Sequence, residues 1–357
     1  MTFGFGLGAG LRALNAARLG MQTSGNNVAN ANTPGYSRQR VELVSALPYG
    51  ITGGLQIGTG VDVRGISRLI DAGLERRIQL QLGLVGAAEL DEARYREIES
   101  IFGEPDQGLS NSFQDLFGAL DQLRADPADR ALRSGLIQSG NSLSQGFRLV
   151  SQRLGELGGG TFDEVRGLTR LVNQRADAIA TLNGQIIAAE ANGSDANDLR
   201  DARAQHINEV SKLLDVRAIE RSSGSVDLLV GGSLIVAGDR STHVRAAKDS
   251  GGRTEIFVGN NDRPSVVREG RIAALIAQEQ SNLPAFLSRI DELARETILE
   301  WNRLHTTGMP ASGPFRSLVG AYGAVDGDGD GARGDELLAQ AGFPFDVRSG
   351  ALYVAVT

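Results

Sequence analysis

The sequence predicts a mainly α-helical fold with a smaller β part, in which a long antiparallel coiled-coil bundle, rod-like in outline, carries an attached β subdomain. Apolar residues recur at helical spacing over most of residues 67–216. Aromatic residues make up only 5% of the chain, and thin helical packing needs few large rings. Glycine-bounded runs of alternating apolar residues lie between residues 217 and 267, as expected for short strands.

The chain opens with an amphipathic helix that a turn sequence then ends. Its apolar residues at helical spacing are Leu7, Leu11, Leu14, Met21 and Val28. From Asn30 onward, Asn and Thr favour local side-chain hydrogen bonds, Pro34 removes an amide donor, and Gly35 permits a positive φ. A terminal helix cannot bury such a stripe by itself, so we predict an assembly element that is loosely attached in the isolated chain.

The middle of the chain is predicted to be a helical hairpin. A helix from about 67 to 101 and a shorter one around Phe113 to Leu123 precede it. Asp126 and Pro127 are typical of a helix start, and the apolar seam that follows has a 3.5-residue period. The glycines Gly158–Gly160 are predicted to break this helix, and Thr161 with Glu164 to cap the next one. Two seamed helices joined by a glycine turn predict an antiparallel hairpin of roughly 40 Å or more.

The second half is predicted to return from strands to helix. Residues 225–238 alternate around a Gly-Gly turn, and residues 242–247 and 253–258 supply further strands. A helix follows from about 268 to 306. The predicted domains are therefore 1–66 (axial helix and turn segment), 67–216 (helical bundle), 217–267 (β-rich), 268–310 (helix returning to the bundle) and 311–357 (a truncated outer β-rich domain).

Several classes of function are disfavoured by composition. The chain has no cysteine, which removes disulfides, thiolate metal sites and cysteine nucleophiles. A formal net charge of −7 disfavours nucleic acid as a partner. Neither a cleavable signal peptide nor an apolar run of about 18 residues is recognisable, so we predict no membrane insertion. The three histidines show no triad or metal-ligand spacing. We predict no catalytic residues, no cofactor and no enzymatic activity.

One short run has the appearance of a metal loop. Asp326, Asp328 and Asp330 alternate with glycine, like the carboxylates at positions 1, 3 and 5 of a calcium loop. A bidentate glutamate belongs at position 12, but that position is Leu337 here and Glu336 comes one place early. The run is thus only a weak candidate, and no dedicated metal site is predicted.

The N-terminal residues resemble the flagellar axial proteins, the rod, hook and hook-associated family. The resemblance rests on Leu14-Asn15-Ala16-Ala17, on an Asn-rich segment containing Asn26 and Asn27, and on Thr33-Pro34-Gly35-Tyr36. The continuation Tyr36-Ser37-Arg38-Gln39 is most similar to the hook-associated protein 1 family. The candidate assembly interface consists of Leu7, Leu11, Leu14, Asn15, Met21, Asn26, Asn27, Val28, Asn30, Thr33, Pro34, Gly35, Tyr36, Arg38 and Gln39.

The resemblance implies a structural subunit at the hook–filament junction of the bacterial flagellum, outside the cell and exported without a cleaved signal peptide. It implies hook subunits, the second junction protein, other copies in a ring and an export chaperone as partners. It also implies a C-terminal helix packed on the N-terminal one, which we expect this chain to lack. A hook or rod subunit, a cytoplasmic coiled-coil adaptor and a calcium-dependent surface adhesin remain as alternatives.

Overall fold

The computed structural model describes residues 2–50, 56–103, 108–191, 193 and 195–307. The chain divides into two compact units, residues 1–295 and 296–357. In the second unit, residues 296–307 are the end of a helix, and the predicted outer domain 311–357 lies outside the described residues.

The described residues confirm a mainly α-helical fold with a smaller β part. The helices are α1 (Thr2–Ala29), α2 (Ala72–Phe102), α3 (Leu109–Ala125), α4 (Arg130–Ala191), α5 (Asn197–Leu213), α6 (Gly270–Ala277) and α7 (Leu283–Thr307), with a π turn, Gln278–Asn282, between the last two. The strands are β1 (Gln39–Ser45), β2 (Tyr49–Gly50), β3 (Gln56–Ile57), β4 (Val61–Arg68), β5 (Val216–Glu220), β6 (Val226–Val230), β7 (Ser233–Ala237), β8 (Arg240–Ser241), β9 (Val244–Lys248) and β10 (Thr254–Val258).

The predicted hairpin at Gly158–Gly160 is wrong, because α4 runs through these glycines as one helix of 62 residues. At 1.5 Å per residue such a helix is about 93 Å long. An interior glycine costs roughly 1 kcal/mol of helix stability. Here the helix continues because one face is buried on both sides of the glycines, by Leu154 before them and Val165 after them. Thr161 caps nothing, since its hydroxyl donates to the carbonyl of Leu157 within the same helix.

Antiparallel helix pairs do form, but at two other turns. Helices α3 and α4 meet across residues 126–129, where the Phe113 and Phe147 rings pack edge to face at 5.9 Å. Helices α4 and α5 meet across residues 192–196, and the bond from Arg203 to Asn183 joins them. The helix start predicted at Asp126 is also wrong. Asp129 caps α4 instead, its Oδ1 accepting from the second and third amides that follow, at 2.6 and 3.3 Å.

Many large apolar side chains of α2 are exposed. Leu74, Ile78 and Val85 are exposed, whereas Gly83 and Gly86 are buried with Leu90 and Ile98. The two glycines let α2 approach the end of α5, because a Cβ at Gly86 would lie 2.2 Å from the carbonyl oxygen of Lys212. Close backbone contact, and not a stripe of large side chains, positions this helix.

The β part matches the predicted strands. Strands β5, β6, β7 and β8 form an antiparallel sheet in that order, and β9 pairs with β10. Gly231 and Gly232, at φ 53° and 85°, make the tight turn between β6 and β7. Apolar residues of these strands share one core with α4, α5 and α6, centred on Ile179, Val210, Leu228, Ile235 and Leu275, all fully or nearly fully buried.

Candidate assembly interface

Helix α1 lies against the β1–β4 hairpin through one face. These strands are antiparallel, with Gln39 opposite Arg68 and Ser45 opposite Val61. Ala16 and Thr23 are buried beneath the helix. Arg12 pairs with Asp62 on β4 at 2.9 Å. We expected α1 to be loosely attached, and this expectation is wrong. Small and polar side chains on one face of the helix fix it to the hairpin.

The opposite face of α1 presents the predicted apolar stripe to solvent. The exposed fractions are 79% for Leu7, 60% for Leu11, 67% for Leu14, 70% for Met21 and 77% for Val28. Five large apolar side chains at helical spacing, exposed on a helix that is held in place, form a surface suited to packing against another helix. We call these five residues the α1 stripe.

The turn after α1 is organised by Asn27. Its Oδ1 accepts from the Tyr36 hydroxyl at 2.9 Å and from the Gln39 amide at 2.8 Å. Its Nδ2 donates to the Gln39 carbonyl at 2.8 Å. Asn30 continues the pattern, donating to Asn26 and accepting from the Thr33 hydroxyl. These asparagines therefore shape the turn, so that β1 starts beside the end of α1.

Gly35 brings the turn against α5. Its φ is 79°, a left-handed conformation that favours glycine. A Cβ there would lie 2.0 Å from Nε2 of Gln205, the same nitrogen that donates to the Pro34 carbonyl at 2.6 Å. The positive φ at Gly35 therefore favours glycine at this turn, and Gln205 of α5 packs directly against it.

The hairpin and the turn are anchored on α5 by two carboxylates. Asp201 is buried, accepts from the Ser37 amide at 3.0 Å and pairs with Arg68 at 2.6 Å. Gln39 reaches Asp198 at 3.5 Å. Partial burial, together with the charges of Asp198 and Asp201, raises the pKa of Tyr36. That phenol stays neutral at physiological pH and keeps its proton for Asn27.

The structure separates the predicted site residues into two groups. The α1 stripe is exposed, as are Asn15, Asn26 and Arg38. Asn27, Tyr36 and Gln39 instead face inward and build the platform that holds α1. Sequence reasoning missed Asp201, Arg68 and Gln205 as residues of this site.

A second apolar surface was also missed, on the hairpin beside α1. Leu43, Val44, Leu47, Tyr49 and Ile57 are all exposed. This surface extends the exposed apolar area of residues 1–66 beyond the stripe.

Other chemistry is sparse among the described residues. They contain no group of three or more metal-ligating side chains and no helix apolar and long enough to cross a bilayer. Asp326, Asp328 and Asp330 lie outside them. Asp177 accepts from His243, at 3.1 Å, and from the Ser241 hydroxyl. Because the serine bonds to the carboxylate and not to the imidazole, this trio lacks the geometry of a nucleophile and its base.

Comparison with known families decides what kind of protein carries this arrangement. The model of the family described as "Flagellar hook-associated protein FlgK helical domain" matches residues 95–317, more than half of the 357-residue chain. The chain belongs to the FlgK family. A second model, "Flagella basal body rod protein", matches residues 7–36 of this FlgK-family chain, which include the α1 stripe and the turn.

Curated relatives carry the same family name. Flagellar hook-associated protein 1 of Salmonella typhimurium is 27% identical over 314 residues, covering 85% of this chain and 57% of the relative. The Bacillus subtilis protein of that name is 26% identical over 346 residues, covering 86% and 68%. The chain thus spans little more than half the length of the Salmonella relative. A solved structure of the flagellar hook junction protein FlgK from Burkholderia pseudomallei covers 58% of this chain and 39% of that one, at 19% identity and a TM-score of 0.47.

Proposed function

We propose that this chain is a structural subunit of the hook–filament junction, which polymerises through terminal helices, with α1 at the N-terminal end, and is needed for filament assembly. Its work is geometric. The α1 stripe and the adjoining turn form contacts in the polymer, and the helical bundle places them. Its neighbours are hook subunits on one side, the second junction protein on the other, and further copies of itself around a ring.

The observation that carries the proposal is the exposed α1 stripe on a fixed helix. Burying a side chain the size of Leu or Met stabilises a contact by roughly 1.5–3 kcal/mol. Part of this gain is offset by the freedom that the subunit and its contact surface lose on joining a polymer. The contacts of α1 with Asp62, and of the turn with Asp201, hold the helix and the turn in place beforehand, which lowers the part of this cost that comes from ordering the surface.

The family match supports this role over the alternatives. The matching helical domain is described as that of a hook-associated protein, whereas the rod-protein match is confined to residues 7–36. A cytoplasmic adaptor would leave the flagellar signature unexplained. A calcium-dependent adhesin would depend on the run at Asp326, whose spacing departs from a calcium loop.

The proposed function also implies how the subunit leaves the cell and where it acts. The subunit is exported through the flagellar apparatus with a dedicated chaperone, without a cleaved signal peptide, and functions outside the cell at the junction. These partners and this location are proposed for the whole protein, because the relatives that carry this family name are longer than this chain.

The test is a motility strain in which the only copy of this gene carries Leu11→Ser and Leu14→Ser. We expect filaments to be absent or rare, because the stripe loses its two central apolar side chains. The variant subunit should still be exported and should accumulate in the culture medium. Electron microscopy of hook-basal bodies and immunoblotting of cells, hooks and medium are the measurements.

The matched control is Val266→Ser, since Val266 is 62% exposed and Leu11 is 60% exposed. Val266 lies between β10 and α6, away from the stripe in the chain. This strain should build normal filaments. Complete filaments on the double variant, with its protein in the hooks at normal level, would overturn the proposed use of the stripe.

A further inference from the structure

The α1 stripe contains two interruptions whose positions are regular. Steps of four and three residues connect Leu7, Leu11 and Leu14, and continuing them gives Arg18, Met21, Gly25 and Val28. All seven positions lie within an arc of about 100° on a helix with 3.6 residues per turn. This is the a/d spacing of a coiled-coil seam, with a cation at its central position and a gap near its end.

Arg18 has no partner that would let it be buried. It is exposed, and no carboxylate among the described residues forms an ion pair with it. Helix α1 itself contains no Asp or Glu. Its other cation, Arg12, lies on the opposite face and is already paired with Asp62. A helix that covers the stripe would bring its surface against Arg18, where a carboxylate would supply the missing counter-charge, and burial of the guanidinium without one is strongly unfavourable.

Gly25 is not required by the fold of this chain. It lies within α1, and a Cβ added to it would have no atom within 4 Å. An interior glycine destabilises a helix by roughly 1 kcal/mol relative to alanine, and no internal contact explains it here. On the seam, a residue without a side chain leaves a space that a large apolar side chain of a facing helix can fill.

We propose that the helix which covers the α1 stripe carries a carboxylate opposite Arg18 and a large apolar side chain opposite Gly25. The proposal rests on the proposed function, in that it assumes the stripe is covered in the assembly. It excludes a second copy of α1 as the covering helix. Two α1 seams in register would bring Arg18 against Arg18, and neither helix could supply a carboxylate in any register. The pairing fixes the register and orientation of the partner, as polar seam residues do in coiled coils.

The probes are three synthetic amphipathic peptides as long as α1, which has 28 residues. They share a leucine seam and differ only at the central seam position, which is Glu, Leu or Lys. A central position meets Arg18 whether the peptide binds parallel or antiparallel. Binding of each labelled peptide to the full chain is measured by fluorescence anisotropy at low salt.

We expect the Glu peptide to bind about tenfold or more tightly than the Lys peptide, since a carboxylate–guanidinium pair replaces a repulsive contact. The chain with Arg18→Glu should reverse this order. Arg40→Glu is the control, because Arg40 is an exposed arginine on β1 that forms no ion pair among the described residues. That variant should keep the preference for Glu.

Leu14→Ser separates failure of this inference from failure of the proposed function. Peptides that bind in a Leu14-dependent way, with equal affinity for the Glu and Lys forms, would overturn the role of Arg18 and leave the stripe as a docking surface. Peptides that do not bind, or that bind equally well to Leu14→Ser, would overturn both.

Discussion

At the scale of single residues, one buried side chain joins the helices to the β part. Asn183 on α4 is 0% exposed and uses all four of its hydrogen-bonding positions. It donates to the carbonyls of Val226 and Gly238, at 2.8 and 2.6 Å. It accepts from the Val226 amide at 3.0 Å and from Arg203 of α5 at 2.9 Å. Burial lowers the pKa of Arg203 to about 10, so it is still charged at physiological pH.

Replacing Asn183 with Leu should destabilise the chain by about 3–5 kcal/mol. The volume is similar, but two buried backbone groups of Val226 lose their partner and Arg203 keeps its charge with one bond fewer. Urea unfolding followed by circular dichroism measures the change. Thr181→Ala removes an exposed hydroxyl on the same helix, and it should shift stability by less than about 0.5 kcal/mol. A shift of that small size for Asn183→Leu would contradict the joining role.

The sequence gives no sign that Asn183 is buried. It lies between the apolar Leu182 and Ile186 in the second of the two helices predicted to form a hairpin, where a polar residue indicates the solvent side. The β part covers this side of α4, and such cover comes from residues more than forty positions away. The spacing of apolar residues along a helix indicates one buried face, and it does not reveal that a second element packs on another face.

At the scale of elements, α4 is a case in which tertiary packing overrides the helix-breaking tendency of the local sequence. Three consecutive glycines predict a break, yet the buried face continues from Leu154 to Val165. Strands and turns were easier to predict, since the Gly231-Gly232 turn needs its positive φ whatever surrounds it. Contacts with residues far along the chain, such as that of Gly86 with Lys212, could not be derived from the spacing of apolar residues.

Gly159→Ala tests the continuous helix directly. Gly159 is exposed, with no atom within 4 Å of an added Cβ, so alanine should raise stability by about 1 kcal/mol if the residue is helical. The matched helical glycine is Gly86. Alanine there would meet the Lys212 carbonyl at 2.2 Å and should destabilise by about 1–3 kcal/mol.

Both variants are compared with the unaltered chain by urea unfolding. A destabilising Gly159→Ala would restore the hairpin that the sequence favours, because a tight turn needs glycine for its positive φ. Equal changes in the free energy of unfolding for Gly159→Ala and Gly86→Ala would contradict the difference in packing between the two glycines.

At the scale of the whole first unit, residues 1–295, the assembly surface and the bundle meet at α5. Asp201 belongs to residues 95–317, which match the FlgK helical domain. The turn after α1 belongs to residues 7–36, which match the rod-protein model. Asp201 holds this turn through its contacts with Ser37 and Arg68. The segment that matches the flagellar rod-protein model is thereby fixed to the domain that matches the FlgK helical-domain model. The sequence indicated both halves but not this connection, because the contacts join residues more than 130 positions apart.

Asp201→Ala should loosen the N-terminal part without unfolding the rest. Arg68 would lose the carboxylate that neutralises it in a mostly buried position, and the Ser37 amide would lose its acceptor, a loss of about 3–5 kcal/mol for such a pair. Hydrogen exchange measured by mass spectrometry should become faster in β1, in β4 and at the end of α1. Exchange in β6 and β7 should stay unchanged, since their core is formed with apolar residues of α4, α5 and α6, and Asp201 is not one of them.

Asp163→Ala is the matched control, because Asp163 pairs with Arg166 on the exposed surface of α4. Exposed pairs contribute about 0–1 kcal/mol, so exchange in β1 and β4 should not respond. Uniformly faster exchange after Asp201→Ala would mean that the carboxylate supports the whole unit. Unchanged exchange in β1 and β4 would mean that α5 does not hold the hairpin at all. Selective loosening would instead identify Asp201 as the connection between bundle and assembly surface, and the same variant in cells should then be exported but enter the junction poorly.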